Sequence, residues 1–177
     1  MVRSFIAIPC PDELKDKIVE IQSKIPSFCD AKLVERENIH STLKFLGDVD
    51  DNKIEEIKKQ LEFAKNLNEF KISLKGLGVF PNENYIRVIW IGVNEPEKIV
   101  EIQKQIDENL SSLGFKKEKD FHPHFTIARI KSVTDKFGLK NFIKENSSKE
   151  FGSFMTKEVH LMESKLTPNG PVYSRIF

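Results

Sequence analysis

The sequence is poor in cysteine, tryptophan and histidine, and it carries neither an excess of one charge nor a long apolar run. Its two cysteines, Cys10 and Cys29, cannot make the stapled framework of a small secreted domain, and neither belongs to a Cys-x-x-Cys pair. They read as reduced, buried small hydrophobes rather than catalytic thiols. The 28 Lys and Arg stand against 27 Asp and Glu, a net charge of +1. No bulk field therefore gathers polyanions, and an anionic ligand must be held by local charges. The apolar stretch before Pro9 is too short for a membrane span or a signal h-region, so the expected location is the cytoplasm. A hydrophobic fraction of 39% over 177 residues suffices for a packed interior in a single unit spanning residues 1–177.

Periodicity supplies the elements. Val2 to Ile8 alternates and reads as a strand ended by Pro9 and Pro11. Leu14, Ile18, Ile21 and Ile25 mark a helix from Asp12 to Ile25, closed by Pro26. Ile39 to Leu46 is a strand, and Ile54, Ile57, Leu61 and Ala64 line a second helix. Phe70 to Phe80 and Tyr85 to Val93 form an antiparallel pair across a Pro-Asn-Glu-Asn turn. A third helix runs from Pro96 to Leu113, a strand from Phe121 to Ile130, and a fourth helix from Thr134 to Asn146. Phe151 to Ser164 and Val172 to Phe177 make a closing pair across Thr-Pro-Asn-Gly.

One order occurs twice: a His-x-Thr strand, a helix, then two strands joined by a turn containing Pro-Asn. His40 and His124 are 84 residues apart, close to half the length. The expectation is an α+β, bilobal protein whose two lobes of antiparallel sheet with flanking helices, related by an approximate twofold, face each other across a central cleft.

Residues two apart on a strand share a face, so His40 projects with Thr42 and His124 with Thr126. The intervening Leu43, Phe45, Phe125 and Ile127 are expected to be buried. Two imidazoles around one point suit in-line displacement at phosphorus, which needs a base on the attacking oxygen and an acid on the leaving oxygen. An unperturbed pKa of about 6.5 keeps both forms of imidazole within reach near neutrality, and the threonine hydroxyls would donate to the non-bridging oxygens. With only four histidines in the chain, two matching His-x-Thr units are a poor chance event. His122 and His160, outside that pattern, read as packed or surface residues. A metal site is discounted, because Asp120 is the only further ligand type near either motif and zinc usually takes three or four protein ligands. No cofactor is expected.

Lys44 shares parity with His40 and is a candidate substrate contact. Arg129 is another, since guanidinium grips phosphate, but alternation points it away from His124 and it needs a bulge or the strand's end to reach the site. Lys32, Arg36 and Lys131 are candidate rim contacts. Trp90, Phe5, Phe45, Phe80 and Tyr85 are expected to lie mostly in the core.

The segments His-Ser-Thr-Leu-Lys-Phe-Leu-Gly at 40–47 and His-Pro-His-Phe-Thr-Ile-Ala-Arg at 122–129 resemble the paired motifs of the 2H phosphoesterases. Within that superfamily the chain is similar to the RNA 2′,3′-cyclic phosphodiesterases, historically called 2′-5′ RNA ligases. Arg3 to Ile8, Leu77 to Pro81, Arg87 to Val93 and Glu163 to Tyr173 extend the likeness over nearly the whole chain, with Leu33 and Glu37 standing where the family often has Trp and Pro. The resemblance implies opening of a 2′,3′-cyclic phosphate at an RNA end to a 2′-phosphate. It implies His124 as the proton acceptor that activates water and His40 as the proton donor to O3′, a direction that two equivalent motifs leave open. It also implies a second activity at the same site, joining tRNA halves through a 2′-5′ bond. Neither a membrane nor an obligate protein partner is expected. The competing readings are an RNA-end binding module with little turnover and a phosphodiesterase of small cyclic nucleotides.

Overall fold

The computed structural model describes residues 1–177. Strand β1 (Val2–Pro9) buries Ile6 and Ile8 completely and gives way at Pro11 to helix α1 (Asp12–Gln22), whose first turn carries Asp12 and Glu13 against the helix dipole. Pro26 cannot donate to an α-helical ladder, so the stretch expected to continue that helix is a 3₁₀ turn at Ile25–Ser27. Strand β2 (Cys29–Leu33) comes next, an element absent from the sequence expectation. It is only five residues long and pairs on one side only; Cys29, Ala31 and Leu33 alternate with Asp30 and Lys32, but over so short a run that the pattern is easily passed over.

Then come β3 (His40–Val49), α2 (Asp51–Gln60), β4 (Phe70–Asn82), β5 (Tyr85–Asn94), α3 (Glu97–Ser111), β6 (His124–Val133) and α4 (Lys136–Glu145). The expected strand at 151–164 is in fact two, β7 (Glu150–Thr156) and β8 (His160–Thr167), and β9 (Gly170–Arg175) closes the series. The backbone turns between β7 and β8, where Glu158 N–H donates to Thr156 Oγ1, and passes from one sheet to the other.

Sheet A has the order β3-β1-β8-β9 and sheet B the order β2-β6-β5-β4-β7, and every pairing is antiparallel. The triples β3-β1-β8 and β6-β5-β4 correspond: a histidine strand, then the strand that opens its half, then a third. This is the bilobal α+β arrangement expected from the repeat. Helix α3 packs on β3 and α2, whereas α1 lies on β6 and β7 and α4 on β4. The helices of the two halves are thus exchanged: α1, from the first half, covers sheet B, and α3, from the second, covers sheet A. Thirty-seven buried residues form one continuous hydrophobic cluster through both lobes, among them Ile18, Ile57, Ile89, Ile106, Phe125 and Leu161. Cys10 and Cys29 are buried and unpaired, and burial pushes the Cys10 thiol up to about 12, so it is inert. No helix is long and apolar enough to cross a membrane.

One polar group is set deep in this interior. Lys44 is 3% exposed and its Nζ donates to Asp107 of α3 at 2.5 Å and to the Lys116 carbonyl at 2.7 Å. Asp107 also accepts from Gln103 Nε2 and from the Glu118 amide. Lys44 is therefore not the cleft-facing substrate contact that simple alternation suggests; it ties β3 to α3. Such a pair adds little over apolar packing, but breaking it strands a charge in a medium that cannot solvate it. Lys44→Met should lower the unfolding free energy by about 3–5 kcal/mol, and Lys44→Met with Asp107→Leu should recover much of that loss. Chemical denaturation of the single and double variants checks this.

Candidate active site

β3 and β6 run close together where the sheets meet, and each presents its histidine to the same cleft. The ring nitrogens are fixed in the same way on both sides. His40 Nδ1 donates to the Asn38 carbonyl at 2.6 Å and His124 Nδ1 to the His122 carbonyl at 2.7 Å. A carbonyl only accepts, so the proton sits on Nδ1 in the neutral ring and Nε2 carries the lone pair. His40 Nε2 lies 2.9 Å from Thr42 Oγ1, whereas His124 Nε2 has no partner within the chain. Asn38 is itself held, its amide donating to Pro171 O and Glu35, so the carbonyl that orients His40 belongs to an anchored turn.

Strict alternation breaks in both strands at the same place. Thr42 pairs with Ala7 and Lys44 with Ile6, which leaves Leu43 as an extra residue. Thr126 pairs with Trp90 and Ala128 with Ile89, which leaves Ile127 extra. Each bulge reverses the facing of the residues after it. It turns Lys44 inward, and it turns Phe45 and Arg129 outward onto the histidine face. Arg129 thereby meets the condition set for it from the sequence. Phe45, expected in the core with Leu43, Phe125 and Ile127, is 69% exposed, while those three are buried.

A buried polar side chain from a helix meets each bulge. Gln22 of α1 donates through Nε2 to Ile127 O at 2.8 Å and to Val34 O at 2.9 Å. On the other side Asp107 of α3 holds Lys44, next to Leu43. At Ile127 a carbonyl of the irregular backbone is so satisfied, whereas at Leu43 the contact holds the neighbouring lysine side chain.

Aromatic rings back both imidazoles. Phe5 and Tyr173 lie 5.0 and 5.4 Å from the His40 ring, and Phe80 and Trp90 lie 4.9 and 6.0 Å from that of His124. Gly78 makes room for the indole, since a Cβ there would fall 2.1 Å from it. Burial is the main cause that lowers the pKa of both histidines from the ordinary 6.5. The backbone hydrogen bonds work in the opposite sense, and the Arg129 charge adds to the lowering on both. Arg129 also acts on the Tyr173 phenol, so a single guanidinium stands near both rings and the tyrosine. It makes no salt bridge within the chain.

Thr42 and Thr126 share their histidines' face. Lys131 lies 3.9 Å from Asp30 and lines a cavity beside Tyr85, away from both histidines, Lys32 pairs loosely with Glu35, and Arg36 is engaged by Asp12 and Asp16. His160 bonds Glu158. Tyr85 is an exposed ring at the far end of β5, beside a cavity of about 300 Å³ that contains neither histidine. A smaller cavity, about 60 Å³, adjoins His40 between Phe5, Ala7, Pro9, His160 and Met162. Tyr173 and Asn38 escape reading from local pattern alone, one because it arrives from the last hairpin, the other because only its backbone is used. No three of His, Cys, Asp and Glu gather as a metal site would require.

The family model described as LigT like Phosphoesterase matches twice, over residues 8–90 and 91–173. The chain belongs to that family, and the two matches are the two halves of the fold. An RNA 2′,3′-cyclic phosphodiesterase of Methanocaldococcus jannaschii is 47% identical over 175 residues, covering 99% of this chain and 98% of that protein. One of Methanothermobacter thermautotrophicus is 39% identical, covering 98% and 95%. Among solved structures, a Thermus thermophilus protein superposes with a TM-score of 0.84 at 27% identity over 99% of this chain and 95% of that one. Apo Escherichia coli LigT superposes at 0.76 with 23% identity, covering 99% and 95%, and shares the fold.

The pKa directions fix a pH dependence. In the free protein each imidazole gives up its proton below the ordinary 6.5. A reaction that needs one ring protonated and the other free should therefore show a bell in kcat/KM whose midpoint lies on the acid side of 6.5. A midpoint above 6.5 would contradict the burial argument. Because the unfolded chain holds these protons more tightly, stability should rise with pH through the window below 6.5; thermal melts across that window read it.

Proposed function

We propose that the chain is an RNA 2′,3′-cyclic phosphodiesterase that opens a terminal cyclic phosphate to a 2′-phosphate by acid and base catalysis between His124 and His40. The observation that carries this is the matched setting of the two rings: each Nδ1–H is tied to a carbonyl two residues upstream, so each Nε2 carries the lone pair into one cleft beside one arginine, that of His40 2.9 Å from Thr42 Oγ1 and that of His124 without a partner in the chain. The names of the relatives support the substrate.

Water attacks phosphorus in line with O3′. His124 Nε2, which has no intramolecular partner, takes the water proton. His40, charged at Nε2 once the phosphate is near, gives its proton to O3′ as the P–O3′ bond breaks, and the phosphate stays on O2′. The histidines end with exchanged protonation and reset through solvent. Arg129 and the hydroxyls of Thr42 and Thr126 hold the non-bridging oxygens, whose charge is stabilised by fixed donors in a water-poor site. The same path run in the same direction, with a ribose 5′-hydroxyl of a second strand in place of water, joins RNA ends such as tRNA halves through a 2′-5′ bond, and its reverse cleaves that bond and restores the cyclic phosphate. Bulk water favours hydrolysis.

An oligonucleotide ending in 2′,3′-cyclic phosphate should be converted to the 2′-phosphate with EDTA present. His40→Ala and His124→Ala should each lower kcat by about 100-fold or more, with folding checked by circular dichroism. Chromatography against 2′- and 3′-phosphate standards reads the product; a 3′-phosphate, or unchanged rates in both variants, overturns the reading. Tight binding with no turnover above buffer would instead mark an RNA-end binding module. Arg129→Ala should raise KM and lower kcat together, because it grips the phosphate in both ground and transition states.

A further inference from the structure

The cavity of about 300 Å³ lies outside the histidine cleft, at the end of sheet B where β6 finishes and the β4–β5 turn and helix α4 meet it. Two irregularities open the sheet there. Pro81 pairs with Ile86 and Phe80 with Val88, which leaves Arg87 as an extra residue of β5. Ala31 pairs with Ile130 and Asp30 with Ser132, which leaves Lys131 as an extra residue of β6. Bulges of this kind end regular pairing and re-aim side chains. Both extra residues are cations, and they are tied together, since Arg87 Nη1 donates to the Lys131 carbonyl at 3.2 Å. The Arg87 guanidinium also lies over the Tyr85 ring, 5.5 Å from its centroid, and that residue is 60% exposed. Lys136 of α4 adds a third cation to the lining, and Glu83 is its single acid. The turn below Tyr85 is held in shape: Asn82 Oδ1 accepts from the Asn84 and Tyr85 amides, and Lys140 Nζ donates to Asn84 Oδ1.

Exposed lysines alone are ordinary on a protein surface. Two bulged cations bonded to each other and set on a fixed aromatic ring are not. Three cations against one acid make a positive pocket in a chain whose net charge is only +1, and the ring beside them supplies a π-face. That combination suits a nucleotide, whose phosphate takes the cations and whose base takes the ring. The pocket is remote from the chemistry. At about 3.3 Å per residue, Lys131 stands roughly 20 Å along β6 from His124, with Arg129 between them. One nucleotide does not span that gap, so the nucleotide under reaction cannot fill the pocket, whereas a strand attached to it can. We propose that this cavity is a second binding site for the RNA strand that bears the cyclic phosphate. It takes a nucleotide upstream of the reacting end and so makes the enzyme favour oligonucleotides over mononucleotides. The inference rests on the phosphodiesterase reading and concerns the part of the substrate that does not react.

Adenosine 2′,3′-cyclic phosphate and an oligonucleotide of about eight nucleotides with the same cyclic end test it. With the wild-type protein the oligonucleotide should show a kcat/KM about 10-fold higher. That advantage should shrink as salt rises, because phosphate contacts release counterions. Arg87→Gln combined with Lys136→Gln, and separately Tyr85→Ala, should each remove most of the advantage and leave turnover of the mononucleotide unchanged. The double variant should also flatten the salt dependence, and Tyr85→Phe, which keeps the π-face, should keep the advantage. All three side chains are exposed, so melting temperatures should match the wild type. An oligonucleotide with no advantage, an advantage that survives in the variants, or an equal loss on both substrates overturns the proposal. So does free AMP that alters mononucleotide turnover in the wild type and not in the variants, which would make the cavity a site for a free nucleotide. Absence of turnover of both substrates by the wild type would overturn the phosphodiesterase reading itself, a result distinct from active protein that ignores length.

Discussion

The site depends on one extra residue in each histidine strand. A pleated strand gives each side chain to one of two faces, and a run of His-x-Thr-x-x would send its sixth residue away from the first. The bulges at Leu43 and Ile127 cancel that rule at one point. They exchange the third cleft-facing residue of each strand, Phe45 for Lys44 and Arg129 for Ala128. From behind, Gln22 satisfies the Ile127 carbonyl, and the Lys44–Asp107 pair anchors the side chain next to Leu43. The two helices that supply those groups come from opposite halves of the chain, so each half holds the other's reactive strand in shape.

Electrostatics then works locally. A chain with a net charge of +1 recruits no polyanion by its overall field, and most of its cations are engaged or solvated. Lys44 is consumed by Asp107 and Arg36 by Asp12 and Asp16. Arg129 stays unpaired between two imidazoles that burial keeps neutral near pH 7. An incoming phosphate supplies the missing negative charge, and its approach favours the protonated form of whichever ring must act as acid. The substrate thus takes part in charging its own catalyst.

The strongly periodic parts of the fold were legible in the sequence, and so was the histidine pair. The helix stripes, the hairpin around Pro81 and the repeat each express a pattern longer than a single contact. The features that were not legible have specific physical causes. β2 is a five-residue, singly paired strand whose alternation is too brief to stand out, and β7 and β8 are told apart by a crossing between sheets, which leaves no periodic trace. The error over Lys44 and Phe45 has one source, because a bulge shifts parity without changing composition. For Arg129 the need for such a shift was evident, since a phosphate grip was expected there; for β3 no comparable expectation existed, and plain alternation was applied. Tyr173 and Asn38 act through long-range packing and a backbone carbonyl, neither of which a local pattern encodes.

The sheets mix the two halves of the chain, and this affects the order in which the protein comes into being. β1 emerges first from a ribosome, yet in sheet A it lies between β3 and β8, and Tyr173, on β9, packs against the His40 ring. Asn38, whose carbonyl sets that ring, is itself tethered to Pro171. A nascent chain that has completed only its first half holds His40 on an unfinished sheet, with its orienting turn untethered and an open strand edge beside it. Housing of His40 waits for synthesis of the final hairpin, so a fragment broken off early carries the first motif without the ring and the tether that orient it.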